Sequence, residues 1–333
     1  MTSHINYKES QKQDYSRFEA VVDDTTAKFV KECSDVIRAQ LEADFGKVHT
    51  SVKGDLVPSF LYHYVGHTEG VVETAVSSAI WVNENNPDVE IFTSQQIGLI
   101  AVACLKHDRI QEGVVDPKDS KFKRNLGIDP VADPLIRRSN EFRSWKDGVA
   151  VMRDAQDKLG LRRDPMAELF TLRALRATFA NYDPSIGNVR QPLVNTADPL
   201  QVIVALADLK NTYGDPESNQ ADVARLFLEE NPLFVRYIFH RETLNETEEA
   251  TLRQQILNFY AFQVKFVEGR SLFINEVMDN KRAPKVIKDL IDLRFNNSHN
   301  VAKALAEVRA NLENMSIDEM LDYLANKAGI EIS

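Results

Sequence analysis

The amino-acid sequence predicts an all-α protein, and three observations carry that expectation. Glycine and proline are scarce, 13 and 12 in 333 residues, about 7.5 % where typical usage is nearer 12 %. So few turn residues cannot make the many tight turns of a sandwich, propeller or hairpin-rich barrel. Apolar residues recur at helical spacing through most of the chain. Helix start signals, such as Asp198-Pro199, stand where those stretches begin.

Residues 1–15 are polar and predict no element. From Ser16 to about Lys47, Phe18, Val22, Phe29, Val30, Ile37 and Leu41 recur at helical spacing. Gly46, Gly54 and Pro58 punctuate the chain before a second helix, Phe60 to about Asn85. Ser94 is the expected cap of a third, running to Asp108, whose apolar IGLIAVACL predicts burial on all sides. Residues 109–140 hold five glycines and prolines and the cluster KDSKFKR, and read as a long surface excursion. Helices resume at about Glu141–Leu159 and Pro165–Asn181, and a loop with Pro184, Gly187 and Pro192 follows. Asp198 and Pro199 begin the next helix and Gly214 is expected to stop it. The remainder reads as further amphipathic helices, one of them long, from about Glu246 to Met278.

Hydrophobic content of 43 % and charged content of 27 % suit a globular protein with ample core. With 40 basic and 50 acidic residues the net charge is −10. That counts against broad nucleic-acid binding, so DNA is not an expected partner. It leaves room for a small phosphorylated ligand in a local basic pocket. Cys33 and Cys104 lie in apolar helical pattern and fit a reducing cytoplasm rather than a disulfide framework. No apolar run marks a signal peptide or a membrane span, and no membrane partner is expected. Phosphate-cradling GxxxxGK[ST] and GxGxxG loops are absent.

Three settings stand out. His63 and His67, in YHYVGHTEGVVETA, are expected on one helix face at i and i+4. His107-Asp108 ends the apolar helix AVACLKHD, where ionisable groups need compensation such as a cation. Asp208 stands in PLQVIVALADLKNTYG, where an unpaired carboxylate is out of place. Taken singly, each suits a satisfied core residue as well as a ligand.

The order His, His-Asp, Asp on successive helices resembles the HD superfamily of metal-dependent phosphohydrolases. YHYVGHTEGV is similar to the YHNxxHTxxV helix of its phosphodiesterase-like members. AVACLKHD is similar to the apolar helix leading into HD. SNEFRS resembles the NExxS element of one bacterial subgroup. RALRATF and ALADLKNTYG resemble that subgroup's IxxT and ADLxxxG helices, and Gln263 with Arg270 its QxxFxxxR helix. The likeness runs from about residue 58 to 275. It implies a helical HD core over 58–222, an N-terminal helical segment over 1–57, and a helical extension over 223–333 packed on that core.

The resemblance implies that His67, His107, Asp108 and Asp208 bind a metal and that His63 protonates the leaving oxygen, with Asp108 serving catalysis as well. Two imidazoles and two carboxylates suit one divalent Mn, Mg, Fe, Co, Ni or Zn ion per chain. Such an ion would activate water against a nucleotide or another small phosphate ester. Lys106, Arg109, Arg137, Arg138, Arg190 and Lys210 are the candidate phosphate ligands, each equally readable as a solvated surface charge. Glu141 is the candidate acceptor orienting a ligand histidine.

The chain also departs from the pattern. Residues 109–207 contain no histidine, where two-metal members use two more, so a one-metal site is expected. A catalytically silent protein that binds a nucleotide or partner is the alternative. Gly66 and Gly70 inside the His67 helix suggest a close approach of packed groups, and a homo-oligomer is left open.

Overall fold

The computed structural model describes residues 21–45, 48–50, 56–58, 61–63, 65–108, 140–185, 187–239 and 244–330. The fold is all-α. In chain order the helices are α1 (Asp24–Phe45), α2 (Val65–Glu84), α3 (Ser94–Lys106), α4 (Asn140–Lys158), α5 (Pro165–Arg176), α6 (Pro199–Asp208), α7 (Pro216–Glu230), α8 (Pro232–Phe239), α9 (Glu246–Asp279), α10 (Lys285–Arg294), α11 (Ser298–Leu312) and α12 (Ile317–Ala328). Two antiparallel hairpins interrupt them. β1 (Val48–Thr50) pairs with β2 (Leu56–Pro58), and β3 (Asn181–Asp183) with β4 (Asn188–Arg190). None of the described helices is long and apolar enough to cross a membrane.

The central rod is α3. Ten consecutive residues, Ile97 to Lys106, are buried, because α1, α2, α4, α5 and α6 pack around it. Gly98 sets the closest approach. A Cβ there would stand 2.6 Å from Thr26 Cγ2 and 2.8 Å from Val30 Cγ2 on α1. The helix starts at Ser94, and its cap is Thr93, one residue before the expected one. Thr93 accepts from Gln96 N at 3.3 Å, and Gln96 Oε1 accepts from Thr93 N at 3.0 Å, closing a capping box. The hydroxyl of Ser94 is turned to Asp23 instead, donating to Oδ2 at 2.9 Å.

The apolar side chains form two clusters. The first holds the cores of α1 to α6 and takes in Phe273, Val277 and α10. The second holds Leu61, α7, α8, the first part of α9, α11 and α12. The 34-residue α9 belongs to both and is about 50 Å long at 1.5 Å per residue. Asn245 and Glu248 cap its start. A start signal with uninterrupted apolar periodicity made this helix readable to within a residue.

Four expected boundaries shift. Residues 21–23, inside the helix expected from Ser16, precede α1, which begins at Asp24. The helix expected from Phe60 begins at Val65, which leaves His63 in a bend before α2. The helix expected to reach Asn181 stops at Arg176, and the loop after it contains the β3–β4 hairpin. The helix capped by Asp198, which accepts from Leu200 N at 3.2 Å, ends at Asp208 rather than at Gly214. Leu209 leaves helical geometry at φ −105°, ψ 23°, and a single 3₁₀ turn, Lys210–Thr212, follows. Residues 1–15 and the excursion after Asp108 lie outside the described residues.

Candidate metal centre

Each of the four expected ligands sits at or near the end of an element. His67 is in the first turn of α2, His107 and Asp108 directly follow α3, and Asp208 closes α6. One ligand atom from each lies within 4.8 Å of all the others. His107 Nε2 is 2.8 Å from Asp108 Oδ2 and 3.3 Å from Asp208 Oδ1, and His67 Nε2 is 3.4 Å from Asp108 Oδ2. Both imidazoles are buried and both carboxylates half-buried.

The tautomer of His107 shows what this arrangement can accept. Nδ1 lies 2.6 Å from the carbonyl oxygen of Cys104, which can only accept, so Nδ1 carries the proton. Nε2 is buried without a hydrogen-bond partner although two carboxylates stand next to it. In the neutral ring that nitrogen presents a lone pair to two anions, and a cation between them relieves the repulsion. Burial pushes the His107 pKa down, but Asp108 and Asp208 push it up by more, well above the ordinary histidine value. Burial raises the Asp108 pKa, and His107, His67 and His63 lower it by more, well below the carboxylate range. The cluster thus attracts positive charge, and its four donors could hold a metal ion.

Two side chains that drew no attention in the sequence complete the surroundings. Gln191 Nε2 donates to Asp208 Oδ2 at 3.4 Å. Glu229, in the last turn of α7, holds His63 through Oε1 and Nδ1. Its other oxygen, Oε2, accepts the backbone N–H of Leu61, Tyr62 and His63 at 2.9, 2.7 and 3.0 Å. The carboxylate thus ties the segment ahead of α2 to α7, and His63 stands before the helix. His63 and His67 therefore do not share a helix face, although their ring centroids are 6.3 Å apart. Nothing local in RLFLEEN marks Glu229; its partner lies 166 residues away.

A cavity of about 310 Å³ opens beside the four donors, lined in part by Tyr62, His63, His67, Asp108, Asp208 and Phe266. Glu141, expected near a ligand histidine, also lines it. Three of the six expected phosphate-binding cations are described, and they are elsewhere. Lys106 is buried, with its ammonium on Gln40 Oε1 at 2.8 Å and on the Asp147 carboxylate. Arg190 pairs with Asp183 at 3.0 Å. Lys210 lies over Gly70, where a Cβ would come within 2.3 Å of Nζ, and burial lowers its pKa. None of the three lines the cavity. The contact does account for Gly70, whose missing side chain leaves room for a lysine. Arg109, Arg137 and Arg138 lie outside the described residues.

Compared with protein-family models, the chain matches none, and no curated protein is a match.

Proposed function

We infer that the protein is a metal-dependent phosphohydrolase of the HD type, acting on a nucleotide or other small phosphate ester with one divalent ion per chain. The carrying observation is the convergence of His67, His107, Asp108 and Asp208, with ligand atoms within 4.8 Å of one another, in the order of the motif. A bound divalent ion would supply Lewis acidity and lower the pKa of a water. The protein's own groups do the rest. Cys104 fixes the tautomer of His107, and Gln191 orients Asp208. Glu229 keeps a proton on the ring of His63 at the cavity wall, where it is suited to protonating a leaving alcohol.

The test is phosphate release from a panel of nucleotides and model esters, with and without Mn²⁺, Mg²⁺ or Zn²⁺, beside elemental analysis. Metal-dependent release with about one ion per chain, lost in His67→Ala, is the expected result. Metal-loaded, folded protein that turns over nothing, with metal content unchanged in His67→Ala, would end this reading. The absence of histidine between Asp108 and Asp208 favours a second reading, a silent protein that binds nucleotide. It requires nucleotide-induced thermal stabilisation without product.

A further inference from the structure

Among the described residues, the charged lining of the cavity is acidic apart from its two histidines, His63 and His67. Among the described residues, five carboxylates line it, those of Asp108, Glu141, Asp208, Asp222 and Glu230, and no lysine or arginine does. One face of α7 supplies a wall, with Asn219, Asp222, Val223, Leu226 and Glu230 at spacings of three and four. Asn219 is only 4 % exposed, and its amide oxygen is buried without a hydrogen-bond partner. Leaving that oxygen unpaired is costly unless a ligand supplies a donor. Asp222, one turn on, accepts from Asn211 Nδ2 and pairs with Arg225 at 3.4 Å. Its carboxylate also lines the cavity.

A second metal ion does not answer this arrangement: among the described residues, His67, His107, Asp108 and Asp208 form the one group of three or more His, Cys, Asp or Glu side chains that could hold an ion. Asp222 and Glu230 are eight residues apart, about 12 Å along the helix axis, which is beyond one coordination sphere. Asn219 lies further still from Glu230. An anionic leaving group would meet repulsion along the whole wall. An alkylammonium offers three donors and no acceptor, and focused negative potential favours it.

We propose that the cavity takes a phosphate ester whose alcohol portion carries a protonated amine, received by Asn219 Oδ1 and the Asp222 carboxylate. This rests on the phosphohydrolase reading for the phosphate end, and the experiment separates the two. Protein loaded with Mn²⁺ is titrated calorimetrically with 3-aminopropylphosphonate and with n-butylphosphonate. The pair differ by an ammonium in place of a methyl group, and neither needs to be hydrolysed. The amine should bind about 10-fold tighter or more, as expected for a charged hydrogen bond. Asn219→Leu and Asp222→Asn should each cut that ratio several-fold, and the nearly isosteric Asp222→Asn serves if Asn219→Leu does not fold. Equal affinities, a preference for the butyl compound, binding of neither, or a ratio unmoved by a folded variant would each overturn the proposal. Phosphate release from p-nitrophenyl phosphate is measured in parallel. Amine preference without turnover keeps this subsite and rejects the hydrolase; turnover without preference does the reverse.

Discussion

The Glu229 carboxylate holds His63 twice, through the ring Nδ1 with one oxygen and through the backbone N–H with the other. One anion thereby sets the position of the imidazole and biases its protonation. Burial pushes the His63 pKa down, while Glu229 and Asp108 push it up by more, so the net value lies above the ordinary histidine range. For Glu229 itself burial raises the pKa, and His63 with the backbone amides lowers it by more.

Glu229→Gln keeps the shape and removes the charge. Burial then dominates at His63, and the alkaline limb of the pH–rate profile, where the acid loses its proton, should move to lower pH. With an alkyl phosphate, kcat/KM should fall about 10- to 100-fold. A p-nitrophenyl ester, whose leaving group needs no proton, should lose less. An alkaline limb that stays in place would remove Glu229 from the proton chemistry.

The sign of the linkage also predicts stability. The raised His63 pKa gives a contribution that is full below the ordinary histidine value and is lost as pH rises through the raised one. The depressed Glu229 pKa gives a contribution present above the ordinary value of 4.5 and lost as pH falls through the depressed one. Urea unfolding of metal-free protein should therefore show a wild-type advantage over Glu229→Gln that is largest between those limits and shrinks on both sides. A difference constant from pH 3 to 9 would contradict the pairing.

Metal should raise the thermal midpoint, by about 2.7 kcal/mol of added stability at a concentration 100 times its dissociation constant. Asp208→Asn should abolish most of that rise. Without metal the same variant should lose only the attraction between the Asp208 charge and a protonated His107, a smaller cost than the loss of the ion. Scanning calorimetry with and without chelator reads both effects, and a variant destabilised equally in each condition would mean the charge serves packing alone.

Gly98→Ala should cost about 1–3 kcal/mol. Its Cβ would meet Thr26 and Val30 at distances no relaxed core shows, and α1 must shift to admit it. The denaturation midpoint reports the loss, and an unchanged midpoint would mean the α1–α3 contact is looser than described.

Both cysteines are buried. Burial pushes the Cys33 thiol up to about 12 and Cys104 further still. A thiol reagent should titrate neither in the native protein and both after denaturation. Rapid reaction of a native thiol would place that helix face in solvent.

How much the sequence disclosed followed the range of the forces involved. Helix α9 was readable because capping and periodicity are local, and the starts of α3 and α6 fell within a residue for the same reason. His63 was misplaced on α2, and the carboxylate that holds its ring and its backbone N–H lies 166 residues away, which no local pattern reveals. Lys106 adjoins His107 in sequence, yet on a helix successive side chains diverge, and its ammonium ends on Asp147 instead of facing the cavity. The four donors were legible as residue types in order; the acidic wall of α7 was not, since Asn219, Asp222 and Glu230 look like any amphipathic helix surface.

Helix α7, which carries Glu229, is packed in turn by α12, and α12 ends at Ala328. During synthesis the four donors are all in hand once residue 208 has emerged, but the group that holds His63 gains its support more than a hundred residues later. The nascent chain therefore has its four donors before the helix that holds His63 meets its packing partner.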